Sequence, residues 1–304
     1  MNILIIGYGS IGKRHEEVLS TIEGINTVDI VTKQSLKNKK SYLSLEEETL
    51  NLEFYDYFII ASETNKHYEQ LVFLENKVKQ KIILCEKPLF ETSKILNIVN
   101  NIVYVGYVLR FHPLLQKLKK LVEEERIIAI IAQCGQYLPT WRPESDYRTT
   151  YSAYKEKGGG VLLDLSHELD YVQWLSGEVS ELKSYQEKIS DLEISSDDMT
   201  MFIGKTVEKV MVNVTIDYIS KQTHRSLIVH TLQNTYMLDF IEGTLLCKSK
   251  EGDSHRYELK TLERNSMFKS MHEAVVKEKH TLCSYDEAKL LMQTITKIQE
   301  QNNE

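Results

Sequence analysis

Ile3-Leu4-Ile5-Ile6-Gly7-Tyr8-Gly9-Ser10-Ile11-Gly12 opens the chain, and the rest is read outward from it. Four apolar residues stopped by a glycine spell a buried strand. The Gly-x-Gly-x-x-Gly pattern then turns that strand into a helix. Its first glycine permits the tight turn, its second lets backbone approach a pyrophosphate, and its third lets helix and strand pack closely. The helix N-terminus offers unpaired N–H groups and its positive dipole end to an anion. Gly7, Gly9, Ser10, Ile11 and Gly12 are therefore the first candidates for a dinucleotide site. An acid about 20 residues further on would hold the ribose hydroxyls. Asp29 has that spacing but falls inside the next strand, whose end reads Thr32-Lys33-Gln34. A hydroxyl and a cation there suit a 2′-phosphate, which slightly favours NADP over NAD.

Downstream, short apolar runs alternate with helical stretches. Strands are expected at Thr27–Thr32, Tyr57–Ala61, Lys81–Cys85 and Ile102–Gly106, and helices at Lys13–Thr21, His67–Asn76 and Ser93–Asn100. This alternation argues for a parallel sheet covered on both faces. Near residue 111 the pattern changes. An amphipathic helix, Pro113–Glu125, precedes a strand, Ile127–Gln136. Tyr137–Lys157 reads as a long loop and Gly160–Leu175 as one helix. Strand-like runs follow at Met199–Ile203, Lys209–Tyr218, Leu227–Leu232, Tyr236–Phe240 and Leu245–Lys248, separated by short turns, which reads as an antiparallel sheet. The last forty residues return to helix. The expected fold is α/β: an N-terminal Rossmann domain with a parallel sheet over residues 1–110, and an α+β domain with a large open, mostly antiparallel sheet over residues 111–304.

With 42% hydrophobic and 27% charged residues the chain is globular rather than disordered. Its net charge of −7 disfavours nucleic acid or an anionic membrane as the main partner. No apolar run approaches the roughly 20 residues of a membrane helix, and no signal peptide is apparent. Cys85, Cys134, Cys247 and Cys283 show no paired spacing, which fits reduced thiols in a cytoplasmic protein. His112, His224 and His230 lack metal-ligand spacing, so no metal is expected.

Cys85-Glu86-Lys87-Pro88 follows a strand, 75 residues after the glycine loop. With that motif the chain resembles the Gfo/Idh/MocA family of nicotinamide-dependent oxidoreductases. Ser62-Glu63-Thr64-Asn65-Lys66-His67 is similar to the family's loop beside the cofactor, and Gly106-Tyr107-Val108-Leu109-Arg110-Phe111-His112-Pro113 to its crossing between domains. Gly158-Gly159-Gly160-Val161-Leu162-Leu163-Asp164-Leu165-Ser166-His167 resembles its catalytic helix. The chain departs from many members by separating that aspartate and histidine by three positions instead of four. The order and spacing of these motifs extend the resemblance over nearly the whole chain.

The resemblance implies hydride transfer between NAD(P)(H) and a hydroxyl-bearing or keto carbon of a sugar derivative, in a homo-dimer or homo-tetramer assembled through the open sheet. It brings Ser62, Thr64, Asn65, His67, Glu86 and Lys87 to the cofactor, with Trp141 and Arg142 beside the nicotinamide. The chemistry agrees. Such a reaction needs a group that exchanges the hydroxyl proton and a cation at the oxygen. His167 suits the first role and Lys87 the second, while Asp164, on the same expected helix face, orients the imidazole or contacts substrate hydroxyls. Arg110, Arg142, Tyr147 and Arg148 complete the substrate candidates, since guanidinium forks suit a carboxylate or phosphate. The Trp-Arg loop and the helix resemble members placed in bacterial surface-sugar pathways, pointing to a nucleotide-linked or acidic sugar. Two other readings stay open: a non-catalytic dinucleotide-binding regulator or scaffold, and an imine or tetrapyrrole reductase.

Overall fold

Strand β1 (Asn2–Ile6), helix α1 (Ser10–Leu19) and strand β2 (Thr27–Val31) form the unit that the glycine pattern predicts, in a computed structural model that describes residues 1–277 and 281–302. The chain divides into two compact units, Met1–Phe111 with Glu263–Ala288, and His112–Leu262 with Lys289–Glu304.

In the first unit β3 (Ser41–Tyr42), β4 (Tyr57–Ile60), α2 (Thr64–Lys77), β5 (Ile82–Cys85) and β6 (Ile102–Val105) follow. The strands lie side by side in the order β6-β5-β4-β1-β2-β3, all parallel. The order reverses between β1 and β4, which places the glycine loop at the switch point where open α/β sheets bind ligands. Ile3, Ile5, Ile59 and Leu84 are fully buried because both sheet faces are covered.

The helix expected at Ser93–Asn100 is absent. The Glu75 side chain takes the backbone amides of Val99 (2.7 Å) and Asn100 (2.6 Å), holding this connection in an irregular path. A carboxylate on a neighbouring helix has outbid the local helical ladder for those donors.

The second unit begins with α3 (Pro113–Val122) and β7 (Ile127–Gly135). The expected long loop contains short helical turns, among them α4 (Leu138–Trp141). The single helix expected over Gly160–Leu175 is two, α5 (Val161–Asp164) and α6 (His167–Ser176), broken at Leu165 and Ser166. Seven strands follow: β8 (Val179–Glu187), β9 (Met199–Thr206), β10 (Met211–Asp217), β11 (His224–Thr231), β12 (Asn234–Asp239), β13 (Thr244–Ser249) and β14 (Ser254–Glu258). They join β7 in the order β14-β13-β12-β11-β7-β10-β9-β8, antiparallel except for the β7–β10 pair. Alternating burial along β9 and β10 marks one covered and one open face.

The chain then rejoins the first unit through α7 (Ser266–Val276) and β15 (Cys283–Ser284), which pairs antiparallel with β6, before ending in α8 (Tyr285–Gln301). The sequence expectation ran the second domain unbroken from 111 to 304. The return is driven by Phe268, Met271, Ala274 and Val275, which bury against Val18 and Leu19 of α1 and complete the core on that sheet face. Among the described residues no helix is long and apolar enough to cross a membrane.

Candidate active site

Within the first unit the glycine loop has the shape its sequence requires. Gly7 has φ +97°, and a Cβ there would lie 2.7 Å from the backbone of Ala61 and Ser62, at the end of β4. A Cβ on Gly12 would be driven into the Gly7 carbonyl oxygen, so the third glycine is what lets α1 sit on β1. A Cβ on Gly9 would meet nothing within 4 Å. The open space lies where a pyrophosphate would approach, and Gly9 caps α1 without a side-chain hydrogen bond. Ser10 and Ile11 begin the helix whose first amides face that space.

At the end of β2, the Thr32 hydroxyl accepts from the Gln34 amide (3.1 Å), and Gln34 Nε2 donates to the Tyr8 carbonyl (2.9 Å). Lys33 is exposed. Asp29 is buried and accepts from the Tyr55 hydroxyl at 2.6 Å, which leaves it a packing role. Lys39 bridges Glu16 (2.5 Å) and the Tyr8 hydroxyl (2.9 Å), a cation and an acid that sequence reading did not single out.

The Ser62 hydroxyl donates to Gln70 (2.7 Å), and Thr64 and Asn65 open α2. His67 turns inward. Its ring nitrogens lie 3.1 Å from the Pro88 carbonyl and 3.2 Å from that of Ser62. Burial pulls its pKa down, partly offset by those carbonyls. It bolts the Ser62 and Lys87 loops together from beneath, where the resemblance had set it against the cofactor. Glu86 accepts from the Lys87 amide (3.2 Å) and pairs with His15 (2.9 Å). Arg110 is 2% exposed and is ion-paired with Glu287 at 2.8 Å, so it serves the core of the first unit.

In the second unit Asp164 is a hub. One carboxylate oxygen accepts from the Tyr151 hydroxyl (2.7 Å), the other from Ser152 (2.6 Å) and Tyr218 (2.5 Å). Burial and the Asp164 charge hold the Tyr151 phenol well above its ordinary range. Trp141 lies against Tyr218 (5.7 Å between ring centroids), and the Arg142 guanidinium stands 5.8 Å from the Tyr151 ring centre. Asp164, Tyr151, Tyr218, Trp141 and Arg142 thus form one cluster. The helix break puts Asp164 at the end of α5 and His167 at the start of α6, so the shared helix face expected for them does not form. The glycine triplet has a tertiary reason. A Cβ on Gly160, at φ +124°, would collide with Asp197, whose carboxylate accepts the Leu162 amide at 3.0 Å. Beneath α6, fully buried Glu168 pairs with Arg225 of β11 at 2.7 Å and pins the helix to the sheet.

The two loop arginines differ. Arg148 is held by Asp146 (2.8 Å) and Glu193 (3.2 Å), and the Tyr147 hydroxyl accepts from the Glu193 amide. Arg142 is exposed and has no ion pair among the described residues. Tyr151, Ser152, Tyr218, Asp197, His15 and Lys39 went unnoticed in the sequence because none stands in a motif; only the tertiary contacts select them.

The family profile described as an oxidoreductase family with an NAD-binding Rossmann fold matches residues 1–103, and that of the GFO/IDH/MocA C-terminal domain matches residues 115–237. The 2,7-anhydro-N-acetylneuraminate hydratase of Escherichia coli K12 is 28% identical over 133 residues, 41% of this chain. That match spans 35% of the hydratase, about a third of its length. Levoglucosan dehydrogenase, solved with NADH, has TM-score 0.82 at 15% identity over 100% of this chain and 97% of its own. The WlbA dehydrogenase from Bordetella pertussis, solved with NADH and UDP-GlcNAcA, has TM-score 0.78 at 14% identity over 100% and 96%. At those identities the likeness speaks for the fold, while the two profiles match the N-terminal and C-terminal halves in order: the chain belongs to the Gfo/Idh/MocA family of oxidoreductases.

Proposed function

We propose that this chain is an NAD(P)-dependent dehydrogenase or reductase acting on a hydroxyl-bearing or keto carbon of a sugar derivative. The observation that carries the reading is the glycine cradle, with open space over Gly9 at an uncapped helix start. When bound, the dinucleotide supplies a hydride donor or acceptor at its nicotinamide. Gly7, Gly9, Ser10 and Ile11 would hold its pyrophosphate. Thr32 and Lys33 support the 2′-phosphorylated form. Lys87 holds a positive charge at the substrate oxygen, and His167 takes or returns the hydroxyl proton at its imidazole. Asp164, already bonded by three hydroxyls, acts as a positioning residue for Tyr151.

An anionic sugar fits best. Of the two loop arginines, Arg142 is the one with no ion pair among the described residues, one relative is named for an anhydro-neuraminate, and one structural neighbour was solved with UDP-GlcNAcA. A homo-oligomer is supported by the open face of the large sheet. There Leu246, Met237, Ile228, Ile131, Asn213 and Ile203 are successive cross-strand partners, an apolar row interrupted once. A cytoplasmic location is supported by four unbridged cysteines.

Titration with NADH and NADPH, followed by a panel of neutral and acidic sugars and sugar nucleotides read by nicotinamide absorbance, tests the proposal. Gly9→Val should abolish binding of either dinucleotide. Lys87→Met and His167→Asn should each cost about a hundredfold or more in turnover. Absence of dinucleotide binding to the unmutated chain would refute the reading. Binding without turnover on any sugar would favour the regulator.

A further inference from the structure

A line of polar side chains runs through the core of the first unit and ends at the residue before Lys87. The Tyr57 hydroxyl lies 3.0 Å from His272 Nδ1, His272 Nε2 lies 2.9 Å from His15 Nδ1, and His15 Nε2 lies 2.9 Å from Glu86 Oε1. Both histidines are fully buried and Tyr57 nearly so. Glu86 Oε2 accepts the Lys87 amide at 3.2 Å. A Cβ on Gly106 would sit 2.7 Å from Glu86 Oε1, so the glycine there makes room for the carboxylate. His15 comes from α1, His272 from α7 and Tyr57 from β4, three elements of one unit.

We propose that His15 and His272 are positioning residues for Lys87, in a hydrogen-bond chain whose direction is set from Tyr57 and whose output is the placement of the Glu86 carboxylate on the Lys87 amide.

The direction follows from the donors. A carboxylate accepts, so His15 Nε2 carries the hydrogen. Burial drives the Tyr57 phenol well above its ordinary range and holds His272 well below its own, with His15 adding to the latter. Tyr57 therefore donates to His272 Nδ1, His272 donates from Nε2 to His15 Nδ1, and His15 donates from Nε2 to Glu86. Each ring nitrogen has one role, Nδ1 accepting and Nε2 donating, and none of the four is left over. Burying polar groups costs free energy even when they are paired, and an apolar contact would dock α7 on α1 equally well. What the polar line adds is orientation of one carboxylate. Its relevance to hydride transfer rests on the role proposed above for Lys87, whereas the placement is tested without dinucleotide or substrate.

The test is competitive acetylation of the intact chain, with the Lys87 rate read by mass spectrometry against the other lysines of the same sample. His272→Phe keeps a ring but removes the donor, while His272→Gln keeps an amide N–H within reach of His15. Gly106→Ala places a methyl group against Glu86 Oε1, the oxygen that His15 bonds. Losing one hydrogen bond of ordinary strength corresponds to about a fivefold effect, so His272→Phe and Gly106→Ala should each change the relative Lys87 rate by about that factor. His272→Gln should stay within about twofold of the unmutated chain. In ¹⁵N-histidine spectra of the unmutated chain, His15 and His272 should both carry hydrogen on Nε2. An unchanged Lys87 rate in His272→Phe or Gly106→Ala, with only the unfolding midpoint lowered, would reduce the histidines to docking groups and overturn the proposal. So would a His272→Gln variant that behaves like His272→Phe, or hydrogen on Nδ1 of either histidine. If His272→Phe fails to fold, Gly106→Ala and the spectra decide. A chain that binds no NADH but shows the coupled Lys87 rates would sink the dehydrogenase reading and leave the relay standing.

Discussion

Arg142 and Arg148 share one loop, and their surroundings separate them. Arg148 already spends its fork on Asp146 and Glu193, so recruiting it for a substrate anion would cost those pairs. Lysine cannot reproduce a guanidinium's paired geometry. Arg142→Lys is expected to raise the Michaelis constant for a charged sugar by about tenfold, while Arg148→Lys changes it by less than about twofold. Matched charged and neutral substrates check this, since the neutral one should be indifferent to both changes. His112 supplies a second expectation. Burial, and then Arg225, pull its pKa down to about 4. The unfolded chain, with imidazole near 6.5, binds that proton first. Stability from His112 is therefore fully present above about pH 6.5 and is lost as pH falls toward about 4, by about 3 kcal/mol at most. His112→Phe, which keeps a ring beside Phe240, should flatten that part of the profile in denaturant titrations.

Among the elements, α7 departs furthest from the linear reading. Its apolar side chains pack on α1 and on β1 and β4, 250 residues away in the case of Arg14 and Arg264, which bond just before it. Met271 is fully buried, so Met271→Ala should destabilise the protein by about 2–5 kcal/mol. A lower denaturant midpoint with an unchanged slope would report it. The break between α5 and α6 carries a comparable lesson. The run Gly160–Leu175 is helical in composition, yet the Asp164 carboxylate is drawn to Tyr151, Ser152 and Tyr218, and the chain turns at Leu165 and Ser166 to begin a second helix.

For the whole molecule, the apolar row across the open sheet concerns assembly. Ile203 is exposed in the single chain and Ile228 is the cross-strand partner of Ile131 beside it. An exposed stripe of this kind commonly marks an interface. In the homo-oligomer proposed above, Ile203→Glu combined with Ile228→Lys should leave only monomer in sedimentation velocity without lowering the unfolding midpoint, since neither side chain belongs to the buried core.

Local signals in the chain were enough for the Rossmann half and its cradle, because strand periodicity, the helix start and the steric need for Gly7 and Gly12 all lie within a dozen residues. The motifs that carry the family resemblance named Glu86, Lys87, Asp164 and His167 as candidates. Strand-like runs joined by short turns announced the antiparallel sheet, although β8 and β14, polar on exposed edges, were silent. Partnership was not legible. His15 and His272 stand 257 positions apart, and Asp164 meets Tyr218 across 54. Composition carries no trace of such pairs, because a buried polar group is satisfied by whichever donor the fold brings within about 3 Å. Only the folded chain determines which carboxylate is occupied, which arginine is open, and which late helix closes the first core.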